Sequence, residues 1–168
     1  MNQATLTWAD VCAIPWLKNI PAKIETNKDN KIMMSPASAW HGEYEWKIGL
    51  QLHRHMIPGE ILMECPVDTT DGTRVADVAW MSTERHRPHR RAVSLPIAPE
   101  ICVEVISPSN RREEMLSKMQ LYYEAGAKEV WLCDDQGKME FFVKEQLDPV
   151  SHSMLCPEFP RCIDERRD

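Results

Sequence analysis

The sequence predicts an α/β domain whose mixed central sheet is flanked by helices. Three observations carry this. Between residues 38 and 133 the elements read helix, three strands, helix, strand. Successive strands are joined both directly and across a crossover helix, so one sheet must hold antiparallel and parallel pairs. The run Ile101-Cys102-Val103-Glu104-Val105-Ile106 is apolar but for one residue, as expected of a buried strand. At 168 residues the chain fits a single domain, 1–168, with its core at about 38–143.

The elements follow in order. Thr7-Trp8-Ala9-Asp10 opens a short helix, with Asp10 where a capping box places Glu, and Pro15 ends it. Two strands at 22–26 and 31–34 are joined by the turn residues Asn27-Lys28-Asp29-Asn30. Ser35-Pro36-Ala37-Ser38 leads into a helix over about 38–56, whose apolar positions Trp46, Ile48, Leu50 and Leu52 do not define one face. Pro58-Gly59 breaks the chain. Strands follow at 60–67 and 75–81, separated by a turn at 68–73, and then a basic loop over 85–91. A third strand covers 99–107. Ser107-Pro108-Ser109-Asn110 enters a helix over about 111–125, with Met115, Leu116, Met119, Tyr122 and Tyr123 on one face and Gly126 as its stop. Strands at 129–133 and 139–143 flank a turn. The last residues, 144–168, carry Pro149, Pro157 and Pro160 and read as a tail.

Composition removes several classes. Hydrophobic residues at 43% argue against disorder, and a net charge of −6 argues against a general polycation. No apolar stretch approaches the ~18 residues of a membrane helix, and Met1–Thr5 does not look like a secretory leader, so a cytoplasmic protein is expected. Cys65, Cys102 and Cys133 lie in apolar runs, where thiols act as small hydrophobes. No Cys-x-x-Cys occurs. His53 and His55 fall on a helix, where i and i+2 face apart, so no zinc site is expected.

The chemistry concentrates in a few charged residues. Glu104 interrupts a buried strand, where an unpaired carboxylate is costly and needs a cation, a donor or a proton. Asp77 repeats the pattern in Val75-Ala76-Asp77-Val78-Ala79. On neighbouring strands, ~4.8 Å apart, the two acids could grip one hard cation. Lys118 lies at the border of the apolar face of the following helix, able to bend over the strand ends; the plainer reading is a surface pair with Glu114, four residues earlier. Arg85, Arg87, Arg90 and Arg91 make a basic loop suited to phosphates, or to solvent.

This constellation resembles the PD-(D/E)XK nuclease superfamily and, more closely, the bacterial restriction-endonuclease-like proteins called the Uma-two family. The matching words are Met34-Ser35-Pro36-Ala37-Ser38 with His41, Val75-Ala76-Asp77-Val78-Ala79, and Pro99 to Ser109. After them come Lys118, Tyr122-Tyr123-Glu124-Ala125-Gly126 and Glu129 to Asp134. The resemblance runs from about Ala22 to Ile163. It implies a restriction-endonuclease-like core, with Asp77 and Glu104 as the two acids. Ala76 stands where the superfamily has proline, and Ile106 where its motif has lysine; in the family that lysine comes from the next helix, at Lys118. Glu114 and His41 also match family positions.

The expected activity is cleavage of phosphodiester bonds, with DNA as substrate and Mg²⁺ or Mn²⁺ as cofactor. Asp77, Glu104 and the Val105 carbonyl would hold the metal, Lys118 would orient the attacking water, and Glu43 would approach from the preceding helix. Arg85, Arg87, Arg90 and Arg91 would meet phosphates. A second copy of the chain is a further candidate partner. The alternative is a nuclease fold without catalysis that binds nucleic acid or a partner protein.

Overall fold

A computed structural model describes residues 6–20, 22–36, 38–107, 110–144, 146 and 148–164. Ala37, Pro108 and Ser109 of the predicted helix entries, and the chain ends, lie outside the described residues. The elements are α1 (Trp8–Ala13), β1 (Ala22–Thr26), β2 (Ile32–Pro36), α2 (Ala39–His55), β3 (Gly59–Thr69), β4 (Gly72–Ser82) and α3 (Thr83–His86). They continue with β5 (Ile101–Val105), α4 (Arg112–Glu124), β6 (Glu129–Cys133) and β7 (Met139–Val143).

Five strands form the central sheet in the order β3-β4-β5-β6-β7. Only β5 and β6 run parallel, joined across α4. The predicted mixed sheet and its helix–three strands–helix–strand core are therefore present. Local chemistry explains the boundaries. Thr7 and Asp10 close the predicted capping box on α1. At the end of α4, Gly126 donates to the Tyr123 carbonyl and Ala127 to that of Tyr122, with Gly126 at φ 110°. That is the double closure a glycine makes possible after a helix.

The hairpin β3–β4 is longer than the sequence predicts. Only Thr70 and Asp71 turn the chain, because Gly72 takes φ 84° and Thr69 Oγ1 donates to its carbonyl. A Cβ on Gly72 would meet Thr26 O at 2.5 Å, so this turn also seats the small β1–β2 sheet.

One apolar layer lies under α4, around Met119, Tyr122, Ala79, Cys102 and Leu132. The other lies under α2, around Ile48, Leu52, Val78, Val103 and Trp131. Tyr44, Ile48 and Leu52 define the buried face of α2, while Trp46 is exposed. Leu116, expected on the buried face of α4, is 43% exposed instead. The C-terminal segment is not a loose tail, since Cys156 and Phe159 are buried in the α2-side layer. No helix among the described residues is long and apolar enough to cross a membrane.

Candidate active site

The site lies where β4 and β5 part. Their pairing covers only Val78↔Val103 to Trp80↔Ile101. Continued by one step, that register places Asp77 opposite Glu104. Beyond it, among the described residues, no strand pairs with the N-terminal half of β4 on this edge, and side chains satisfy its backbone. Thr73 N donates to Thr26 Oγ1 (2.9 Å), Val75 N to Glu25 Oε1 (2.8 Å), and Lys118 Nζ reaches the Val75 carbonyl (3.3 Å). Val105 N donates to Asp77 Oδ2 at 2.7 Å. The interrupted sheet thus leaves a polar seam between two apolar layers.

Both predicted acids are buried there, Asp77 at 1% and Glu104 at 4% exposure. Glu104 accepts from Tyr122 Oη (2.8 Å) and Lys118 Nζ (2.8 Å). Burial works against its ionised form, but Lys118 and Lys23 outweigh burial and hold its pKa below the usual value. Asp77 is shifted the other way, upward, by burial and then by Glu104, against the pull of Lys23. The two acids converge on one cation: Lys23 Nζ pairs with Asp77 Oδ1 and lies 3.2 Å from Glu104 Oε2. Their carboxylates therefore face one positive charge from two sides.

Lys118 is buried, and its partners are Glu104 and Glu25 (2.7 Å). Glu114 stays exposed on the same helix, so the plainer surface-pair reading does not hold. His41 comes from α2, with Nε2 2.9 Å from the Val105 carbonyl and 3.5 Å from Asp77, and Nδ1 2.8 Å from Glu45 Oε1. Glu45 and then Asp77 raise its pKa against burial. Acceptors beside both ring nitrogens suit the doubly protonated ring. Glu64 enters from β3, where φ is 48° and the flanking pairs place it opposite Asp77. Loss of water raises its carboxyl to about 7 despite Lys23, with Asp77 and Glu45 adding to the rise.

Other predicted residues fall elsewhere. Glu43 is exposed and pairs with Lys47 (2.6 Å); the α2 acid in the cluster is Glu45. Arg85 is tied to the scaffold, donating to the Ala98 (2.8 Å) and Gly126 (3.0 Å) carbonyls beside Glu100. Arg87, Arg90 and Arg91 are exposed beyond the C-terminal end of β4. Five residues separate Asp77 from that end, about 17 Å of strand, so the basic loop does not border the seam.

Sequence reasoning missed Lys23, Glu25, Glu45, Glu64 and Tyr122. Two signals were present: Lys23 and Glu25 share one face of a strand at i, i+2, and Glu45 stands four residues after His41. The donor set fits a hard divalent cation. Four carboxylates, Glu25, Glu45, Asp77 and Glu104, meet two lysines and one histidine, and carboxylate oxygens suit Mg²⁺ or Mn²⁺. His41, Glu45 and Asp77 also offer ligand atoms within 4.8 Å of one another, among the described residues.

No curated protein matches the chain. The crystal structure of a protein from Anabaena variabilis, described as a putative nuclease belonging to DUF820, superposes with a TM-score of 0.71 at 16% identity, over 94% of this chain and 95% of that one. That likeness establishes the restriction-endonuclease-like fold. The sequence itself matches Uma2, described as putative restriction endonuclease, over residues 8–158, and the chain belongs to that family.

Proposed function

We propose that the chain is a nuclease that hydrolyses phosphodiester bonds in DNA with a divalent cation. One observation carries the reading: Asp77 and Glu104 meet at the seam with both carboxylates turned onto a single positive charge. The family description and the nuclease-like fold support it. Asp77, Glu104 and the Val105 carbonyl would hold Mg²⁺ or Mn²⁺. Such an ion supplies Lewis acidity, drawing charge from a phosphate oxygen and easing deprotonation of a water.

The chain's own residues do the rest. Lys118 and Tyr122 fix the two oxygens of Glu104 and keep the carboxylate ionised, as a ligand must be. Lys118 also places positive charge where negative charge accumulates on the phosphate in the transition state. His41 holds the Val105 carbonyl by one of its two lone pairs and leaves the other. Arg87, Arg90 and Arg91 would take a phosphate about five base pairs away, given ~3.4 Å of rise per pair.

The test is incubation of plasmid, linear DNA and RNA with Mg²⁺, Mn²⁺ or chelator. DNA cleavage should require the cation and disappear in Asp77→Asn and Glu104→Gln. Cleavage unaffected by either change would sink the assignment. DNA binding without cleavage in any condition would favour the non-catalytic alternative.

A further inference from the structure

Lys23 is a residue of the seam that the proposed reaction leaves unused. It comes from β1, outside the central sheet, in a hairpin whose two neighbouring polar side chains are spent on β4. Thr26 takes the Thr73 amide, and Glu25 takes the Val75 amide and Lys118. These contacts fix the hairpin and aim Lys23, two residues before Glu25, at the acids. Its ammonium is nearly buried, with a side chain 13% exposed, and touches Asp77 and Glu104 together. Those carboxylates are the ones assigned to the divalent cation. Lys118 already lies 2.8 Å from Glu104 Oε2, so a divalent ion added at these oxygens would meet strong repulsion from the Lys23 ammonium at contact distance in a poorly solvated site.

We infer that Lys23 is a tethered counter-ion seated in the cation's place, so that a divalent ion must displace it to bind. The inference rests on the reading of Asp77 and Glu104 as cation holders. Lys118 differs, because its contacts with Glu25 and the Val75 carbonyl hold it to one side of the pair. The arrangement has two consequences. The empty protein keeps its acids neutralised, which limits their mutual repulsion. A loaded protein presents a freed ammonium beside the seam, where an anionic phosphate would arrive.

The test is Mn²⁺ affinity by titration calorimetry on the full chain. Lys23→Gln should bind Mn²⁺ at least tenfold more tightly than wild type, whereas Lys23→Arg, which keeps the charge, should bind no more tightly. A second measurement uses the unaltered protein. Acetylation footprinting should show Lys23 protected in chelator and reactive with Mn²⁺, with Lys118 protected in both. If wild type binds Mn²⁺ and Lys23→Gln binds it equally or more weakly, the inference fails while the cation site stands. If Lys23→Gln does not fold, the footprint decides, and Lys23 equally protected with and without Mn²⁺ overturns the inference. If neither protein binds Mn²⁺, both readings fall.

Discussion

Truncating Lys118 takes from Glu25 its ion-pair partner and from Glu104 one of its two ammoniums. A buried pair broken on one side costs about 3–5 kcal/mol, against ~0.5 kcal/mol for an exposed one. Lys118→Ala should therefore lower stability by the larger figure in urea denaturation, and Glu114→Ala should leave it nearly unchanged. Glu104→Gln should also destabilise, because two buried ammoniums each lose one of their two carboxylate partners. Glu64 gives a pH test. Its folded pKa of about 7 exceeds the ordinary 4.5, so its contribution is fully present below 4.5 and lost as pH rises through 7. Glu64→Gln should match wild type in stability below pH 4.5 and exceed it above pH 7. Asp77 and Glu104 were legible in the sequence because acids stand out in apolar strands. Glu45 was not told from Glu43, since two residues are ~200° apart on a helix and only packing fixes the phase.

At the scale of elements, the basic loop divides into two roles. Arg85 satisfies two main-chain carbonyls and sits beside Glu100, while Arg87, Arg90 and Arg91 face solvent. Arg85→Ala should cost about 1–3 kcal/mol, the usual penalty for buried acceptors left unpaired. The triple alanine variant of the other three should leave thermal unfolding unchanged. It should flatten the log–log salt dependence of DNA binding by about 0.9 for each phosphate no longer neutralised; an unchanged slope would assign these arginines to solvent. All three hairpins and both long helices were legible, because turn residues and periodicity mark them locally. The docking of β1–β2 against β4 was not, since it depends on Gly72, Arg74 and Thr26 meeting across the fold.

Across the whole molecule, the C-terminal segment completes the second apolar layer. Buried Glu129 fastens it, accepting from Trp131 Nε1 (2.8 Å), Ser153 Oγ (2.7 Å) and Leu155 N (2.7 Å). Three prolines made this segment resemble a tail, and no local pattern reveals a carboxylate 24 residues away as its anchor. A chain ending at residue 148 strands Glu129 and uncovers Trp131. Circular dichroism should show it without cooperative unfolding, whereas Glu129→Gln keeps most of the contacts and should lose only about 1–3 kcal/mol.

The polar seam gathers side chains from residue 23 to residue 122, drawn from the small hairpin, both long helices and the central strands. A cation held by Asp77, Glu104 and the Val105 carbonyl would tie β4 to β5, and mass action returns that as resistance to parting them, about 2.7 kcal/mol at a hundredfold excess over Kd. Protease digestion should therefore report the cation directly: with Mn²⁺ present, cleavage that requires β4 and β5 to part should slow, whereas cleavage in the hairpin that carries Lys23 should not, long before any nucleic acid is added.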